Sequence, residues 1–484
     1  MANIKSLAKD TAIYGLSSIV GRFLNYLLVP LYTHVISAAS GGYGIVTNLY
    51  AYTALILVIL TFGMETTFFR FANKQEENPN TVFWTSLTMV GVLSLTFLGG
   101  IFIAITPISH TLGYTDHPEY ILMMATVVAL DAIQAIPFCL LRYQKKAVKF
   151  ASLKLLFIVM NIGLNLLYFK VLGHTEVYYV FFLNLVCTGL ITFFFIPDLL
   201  HMQVRVDLRL LRRMFSYSWP ILLLGIAGIL NQAADKMIFP LVYPDKKEAI
   251  SELAIYGACV KVAMIMAMIT QAFRYAYEPF VFAQSKEQGQ TKTYALGMKY
   301  FVIFTLMAFL CVMAWLPALR YMVGADYWEG LRVVPIVMAA EIMMGIYFNL
   351  SFWYKLIDKT IWGAWFSGIG CAVLIAVNVI FMPQYGYIAC AWAGFAGYAT
   401  AMTLSYIVGQ KYYPIKYDLG RIGVYVILAL ITFGLIKFNE YIWDNIVIRI
   451  IGNTVLLILF VSYIVKKDFP ISPILKKLGI KILL

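Results

Sequence analysis

An arginine at the centre of a bilayer-length apolar run limits what this chain can fold into. The run reads Tyr14-Gly-Leu-Ser-Ser-Ile-Val-Gly-Arg22-Phe-Leu-Asn25-Tyr-Leu-Leu-Val-Pro30-Leu-Tyr32. A helix of roughly 20 mostly apolar residues crosses the hydrocarbon core of a membrane. A lipid-facing arginine at that depth costs about 2.5–3.5 kcal/mol on insertion scales. Arg22 therefore points at protein or at a water-filled cavity, and other helices must supply the walls. A short uncharged turn, Ser37 to Gly44, leads into a second apolar helix that carries Glu65 and Arg70 near its end.

Composition extends this to the whole chain. Of 484 residues, 62% are hydrophobic and 13% charged, which excludes an ordinary soluble domain. Apolar periodicity predicts fourteen membrane helices, near 11–35, 44–66, 82–106, 119–141, 152–172, 177–198, 214–243, 253–275, 293–316, 332–354, 361–382, 386–410, 419–437 and 446–465. The fold class is thus an all-α polytopic membrane protein, with loops too short to hold a soluble domain. The first run is followed by no small-residue cleavage site and reads as a retained helix rather than a signal peptide. The six cysteines all lie in apolar runs without a Cys-x-x-Cys pair, so they read as small core residues.

Charge placement sets the orientation. With the N-terminus in the cytoplasm, most lysines and arginines fall in cytoplasmic segments, among them Lys145, Lys146, Lys149, Arg205, Arg209, Arg212, Lys466 and Lys467. The opposite side holds Lys170, Lys246, Lys247, Arg320, Arg332, Lys437 and Arg449. This bias predicts both termini inside. It also accounts for the net charge of +13 as a topology signal facing anionic lipid, with no nucleic-acid partner implied. The lysine-rich tail after Lys466 is expected on the cytoplasmic membrane surface.

The opening pattern returns about 210 residues later. Phe239-Pro240-Leu241-Val242-Tyr243 answers Val29-Pro30-Leu31-Tyr32, and Ala254-Ile-Tyr256-Gly257 answers Gly41-Gly42-Tyr43-Gly44. Landmarks at near-constant offset point to a duplication of a six-helix unit. The expected division is 1–205, 206–417 and 418–484: two pseudo-symmetric six-helix lobes, then two additional helices with the tail.

Polar groups inside the spans mark where chemistry should be. Ser18, Arg22 and Asn25 share a face of the first helix. Asn231 and Asp235 align on the seventh, with Gln232 and Lys236 beside them. Lys261 lies within the eighth, and Arg70 and Arg274 lie at the cytoplasmic ends of the second and eighth. Asn349 and Glu341 are on the tenth. The acids Glu65, Asp131, Asp235 and Glu341 are each open to two readings, a structural partner for a buried base or a carrier of a proton or sodium ion. Lys154, near a helix end, reads as a lysine that snorkels to the interface. No Ser-His-Asp set, Gly-rich phosphate loop, Walker motif or metal-ligand spacing occurs, so no cofactor or hydrolytic chemistry is implied.

Two stretches carry a family resemblance. The opening segments around Pro30-Leu-Tyr-Thr-His-Val-Ile-Ser, Tyr43-Gly44-Ile-Val-Thr-Asn-Leu-Tyr and Phe62-Gly63-Met-Glu-Thr-Thr-Phe-Phe-Arg70 resemble bacterial polysaccharide (O-antigen and capsule) flippases. So does Tyr385-Gly386-Tyr-Ile-Ala-Cys-Ala-Trp-Ala-Gly-Phe-Ala-Gly, continuing to Gln410-Lys-Tyr-Tyr-Pro414. The family belongs to the superfamily of multidrug, oligosaccharidyl-lipid and polysaccharide exporters. The resemblance implies two lobes around a central cavity, alternating access, and a lateral opening between the first and eighth helices. It implies an undecaprenyl-diphosphate-linked oligosaccharide as substrate, in the bacterial cytoplasmic (inner) membrane. A polysaccharide polymerase and glycosyltransferases are the functional partners it implies, with membrane lipids around a monomer. Arg22, Lys261, Arg70 and Arg274 suit an anionic diphosphate. Asn25, Ser18, Asn231, Gln232 and Asn349 suit sugar hydroxyls. The rival readings are a multidrug or cation antiporter, which an arginine on the first helix disfavours, and a peptidoglycan-precursor flippase of the same fold. A membrane-embedded glycosyltransferase or polymerase is the rival from another class, and it would want a long loop that this chain lacks.

Overall fold

The computed structural model describes residues 28–200, 202–283, 290–357 and 359–468. Among them every regular element is helical. The helices are α1 (Leu28–Val35), α2 (Gly42–Thr61), α3 (Met64–Ala72), α4 (Pro79–Ile103), α5 (Ile105–Leu112), α6 (Pro118–Tyr143), α7 (Ala147–Asn165) and α8 (Val177–Leu200). They continue as α9 (Leu208–Val242), α10 (Lys246–Ala283), α11 (Gln290–Leu319), α12 (Val334–Leu350), α13 (Phe352–Leu356), α14 (Ile361–Tyr385), α15 (Tyr387–Tyr412), α16 (Leu419–Ile442) and α17 (Ile446–Asp468). Among the described residues, twelve spans are long and apolar enough to cross a membrane. A helix of 26 residues, α15, covers the predicted twelfth span, and most of the predicted first span lies outside the described residues.

The observed helices extend past the apolar windows because polar flanks continue the helical hydrogen-bond ladder beyond the hydrocarbon. Helix α9 begins at Leu208, where the Asp207 carboxylate accepts from the backbone N–H of Arg209 at 2.7 Å and of Leu210 at 3.2 Å. Helix α10 begins after Asp245, which accepts from Lys247 N–H at 2.8 Å and Glu248 N–H at 3.0 Å. The Glu248 and Lys247 backbone donors hold the Asp245 carboxyl below its ordinary value.

The chain forms two compact units. Among the described residues, unit 1 comprises 28–258 and 378–387, and unit 2 comprises 259–377 and 388–468. In unit 1 the fully buried Phe68, Phe83, Val90, Ile136, Leu210 and Met214 join α3, α4, α6 and α9. A second cluster, Phe138, Phe150, Ile191 and Phe195, joins α6, α7 and α8. In unit 2, Tyr347, Trp353, Tyr354, Phe366 and Ala401 pack α12 to α15 together. Helices α16 and α17 are fixed to α11 by polar contacts. Lys299 donates to Asp468 at 2.5 Å, Tyr425 and Arg421 bond the same carboxylate, and Asn453 donates to the Ala314 carbonyl at 3.2 Å.

Within unit 1 a proline determines one helix contact. Pro240 has no N–H, so the carbonyl of Lys236, one turn earlier in α9, loses its intrahelical donor. Asn48 of α2 supplies one, its Nδ2 donating to Lys236 O at 2.7 Å. Tyr52, one turn along α2, donates to Met237 O at 2.9 Å. The Asn48 Oδ1 in turn accepts from Tyr114 at 2.8 Å, and burial pushes that phenol well above its ordinary pKa, so it remains a donor. Helix α2 also approaches α10 closely, because the residues in contact are small. A Cβ on Gly44 would lie 2.0 Å from the Ile250 carbonyl, and one on Gly257 would lie 2.3 Å from the Thr47 hydroxyl.

Replacing Asn48 by Ala leaves the Lys236 carbonyl and the Tyr114 hydroxyl unpaired in a buried site. Each lost partner costs about 1–3 kcal/mol. The Asn48→Ala protein should melt at a clearly lower temperature in detergent, and Tyr52→Phe, which strips one bond, should melt between it and wild type. An unchanged melting temperature for Asn48→Ala would show that the Lys236 carbonyl is satisfied in another way.

Candidate functional site

The break between α2 and α3 sets up a charged region in unit 1. Phe62 (φ 50°) and Gly63 (φ 68°) both take the left-handed conformation. A side chain at 63 would come within 3.1 Å of the Ser218 carbonyl and 3.0 Å of Ile221, which explains the glycine. At Phe62 the conformation costs roughly 1–2 kcal/mol, and its stacking on Phe215, with ring centroids 4.8 Å apart, offsets part of that. The chain direction resets at the break, and α3 restarts carrying Glu65 and Arg70. At a five-residue spacing these point about 140° apart. Arg70 lies over the ring of Tyr217 on α9, 4.0 Å from its centroid. Glu65 turns toward α6, where Cys139 Sγ lies 3.9 Å from its Oε2.

Helix α6 presents Asp131, Phe138 and Arg142 on one face, at i, i+7 and i+11. The Lys154 ammonium of α7 sits over the Phe138 ring at 3.9 Å, and the Arg142 guanidinium over Phe69 at 5.0 Å. Lys154 acts electrostatically on both Asp131 and Glu65, and Arg142 on Glu65 as well. Among the described residues, none of Glu65, Asp131 and Lys154 closes a direct ion pair. The Tyr50 phenol, which accepts from Asn184 Nδ2 at 2.8 Å, faces the same region and feels Asp131. Two carboxylates without a bonded counter-ion among the described residues lie near two cations held over aromatic rings, Lys154 and Arg142. Such an arrangement can take up an anion on the cations and a proton or a small cation on the acids.

Farther along, Asp235 is fully engaged. It accepts from Tyr256 Oη at 2.7 Å and from Lys236 Nζ at 3.0 Å. Asn231, buried beside it, donates to the Ala227 carbonyl at 3.0 Å, and the exposed Gln232 lends its carbonyl to Lys236 at 3.2 Å. Asp235 thus occupies a tied helix–helix contact, and Asn231 bonds back within its own helix.

In unit 2, Arg274 lies over Phe348 at 4.5 Å from the ring centroid. It lines a water-sized pocket of about 10 Å³ together with Thr270 and Asn349. Asn349 donates to the Gly345 carbonyl at 3.0 Å, while its Oδ1 and the Thr270 Oγ1 are buried without a partner among the described residues. The pocket therefore offers two acceptor oxygens beside a guanidinium. Lys261 on α10 and Glu341 on α12 are both half-buried. Ser18, Arg22 and Asn25 lie outside the described residues.

Sequence reasoning missed Arg142, whose place at a helix end marks it only as a topology charge, and two further participants. Lys154 reads as snorkelling from its position near a helix end, yet it lies over an aromatic ring facing two carboxylates. Its helix face, shared with Asn161 and Asn165, was the available signal. Asn165 donates to the Asn161 side chain at 2.9 Å and accepts from Tyr32 of α1 at 2.8 Å. Asn48 is the other, and only its place one turn after Gly44 marks it.

A double-mutant cycle tests the charged region. Lys154→Met and Asp131→Asn, measured singly and together by thermal unfolding in detergent, should return a coupling of about 0.5–3 kcal/mol. A coupling of zero would place the two charges in independent environments.

Comparison with known proteins agrees with this architecture. The chain matches the lipid II flippase MurJ in an inward closed conformation with a TM-score of 0.73 at 15% identity, covering 94% of this chain and 98% of that one. An inward-facing multidrug resistance MATE family transporter of the MOP superfamily matches with a TM-score of 0.62 at 14% identity, over 83% and 94% of the two chains. A MOP superfamily transporter from Pyrococcus furiosus, described as having a binding pocket of reversed polarity, matches with a TM-score of 0.54 at 13% identity, over 83% and 95%. No curated protein matches by sequence. At these identities the structures show a shared fold. The family described as polysaccharide biosynthesis protein matches residues 7–277, more than half of the sequence, and the chain belongs to that family.

Proposed function

We propose that this protein is a flippase that moves undecaprenyl-diphosphate-linked oligosaccharide from the inner to the outer leaflet of the bacterial cytoplasmic membrane, by alternating access, for O-antigen, capsule or exopolysaccharide synthesis. The observation that carries the reading is a set of cations on membrane-spanning helices, Arg70, Arg142 and Lys154 in unit 1 and Arg274 in unit 2, in a chain of the polysaccharide biosynthesis family. A lipid-linked diphosphate is an anion that must pass the hydrocarbon, and cations inside the spans lower that cost. The shared fold with a lipid II flippase supports handling of a lipid-linked substrate. A cationic drug would meet repulsion at these positions, which favours the glycan reading over drug export.

In this proposal Arg22, Lys261, Arg70 and Arg274 bind the diphosphate. Ser18, Asn25, Gln232 and Asn349 meet sugar hydroxyls. Glu65 and Asp131, whose carboxylates have no bonded counter-ion among the described residues, are the acids that couple an ion. Asp235, saturated by Tyr256 and Lys236, holds helices together. The protein works in one membrane with the polymerase and glycosyltransferases that use and make the same lipid-linked units. Its termini are cytoplasmic, and the domain division at 205 and 417 follows the duplicated sequence.

Arg22→Ala should insert and fold at wild-type levels but abolish glycan export in cells, and Lys261→Ala should do the same. Arg22→Lys should keep partial export, because the charge survives without the bidentate fork. Normal export by both alanine variants would remove the anion-binding reading. Loss of lipid II delivery in place of glycan export would assign the chain to peptidoglycan synthesis.

Orientation is tested separately. Cysteines introduced near Ala39, Asp116 or Asp245 should react with an impermeant thiol reagent added outside, and those near Gln75 or Lys145 should not. The reverse pattern would invert the topology.

A further inference from the structure

A cavity of about 400 Å³ lies in unit 1 between α2, α4, α5 and α6, away from the charged region. Its walls are hydrocarbon, from Ile56, Phe97, Ile108 and Met124 among others. Three lining residues carry hydroxyls, and each is already committed. Thr53 donates to Leu49 O at 2.8 Å, Thr111 to Pro107 O at 2.8 Å, and Tyr52 to Met237 O at 2.9 Å. An ordered water needs two to four polar partners, and these hydroxyls leave it only acceptor lone pairs. Protein interiors do not leave a void of this size unfilled. On the α4 side the way to the bilayer is open. A Cβ on Gly99 or Gly100 would meet nothing within 4 Å, and Leu95, Phe102 and Ile103 are exposed on the same helix.

One cation stands at the rim. The Lys246 ammonium lies 3.4 Å from the carbonyls of His110 and Thr111, at the end of α5, and Thr111 lines the cavity. Among the described residues no lysine or arginine lines the cavity itself. We infer that this cavity binds a bilayer phospholipid, one acyl chain inside and the phosphodiester on Lys246. A single ammonium matches a monoanionic phosphodiester. The polyprenyl diphosphate of the proposed substrate carries more charge, and the cations assigned to it lie elsewhere in the molecule. The site does not depend on what the protein transports.

The test uses the full chain in vesicles of phosphatidylethanolamine and phosphatidylglycerol carrying a diazirine on the acyl chain. A second arm uses a diazirine-tagged polyprenyl diphosphate. After irradiation, the acyl probe should label peptides containing Met124 and the segment from Phe97 to Leu112. Ala125→Phe and Ile101→Trp, each of which fills the cavity from a different wall, should lose most of that labelling. Labelling of the exposed Leu430 and Leu459 should persist in both and report that the variant is folded and inserted. Lys246→Ala should reduce cavity labelling without abolishing it. Acyl labelling that survives both filling variants, labelling by the polyprenyl probe alone, or labelling by neither probe would each overturn the assignment.

Discussion

A backbone carbonyl released inside a bilayer has no water to turn to, and the arrangement of unit 1 depends on how that need is met. Pro240 frees the carbonyl of Lys236, and Asn48 takes it up from another helix. The same asparagine accepts from Tyr114, and Tyr52 reinforces the contact one turn away. The tie is specific because an amide can donate to one helix while accepting from another residue. Helix α2 also approaches α10 closely, because Gly44 and Gly257 leave room there. The Asp235–Tyr256 bond joins α9 to α10, so a carboxylate inside a span is stabilised by the packing it helps to fix.

Charges in the spans divide by whether the fold completes their bonding. Asp468, with a side chain 3% exposed, receives Lys299, Arg421 and Tyr425, and these bonds fasten α17 to α11 and α16. Asp235 is completed in a similar way. A buried ion pair of this kind contributes chiefly to holding a particular arrangement, since desolvation offsets much of its attraction. Glu65, Asp131 and Lys154 differ, since they lie near one another without closing a bonded pair. Charges kept apart in a membrane protein remain available to a ligand or an ion, and that availability is the basis of the functional proposal.

The broken helix at Phe62–Gly63 connects these two themes. A straight helix from Gly42 to Ala72 would carry Glu65 and Arg70 in other directions. Two left-handed residues redirect it, with backbone strain at Phe62 offset by stacking on Phe215. Strain of this kind persists where the surrounding packing over-determines it. Here it places one charge of α3 toward α6 and the other over an aromatic ring of α9.

Helix number, helix ends and the class of the protein were legible in the sequence, because hydrophobic length and local capping act over a few turns of one segment. Twelve of the fourteen expected spans recur with ends shifted by a few residues toward their polar flanks, and α15 matches another. The stretches quoted for the family resemblance lead to the same family that the comparisons show. Partnership was not legible. Asn48 meets Lys236 across 188 residues, and Tyr32 meets Asn165 across 133. Which face of a helix meets which neighbour depends on rotation and crossing, and apolar sequences of similar composition leave both open. Lys154 shows the consequence: its sequence position suits a snorkelling lysine, and only the packing of α6 beside α7 sets it over Phe138 and before two carboxylates. The apolar cavity is likewise a product of packing, since each of its walls is an ordinary hydrophobic helix face until four of them fail to fill the space between.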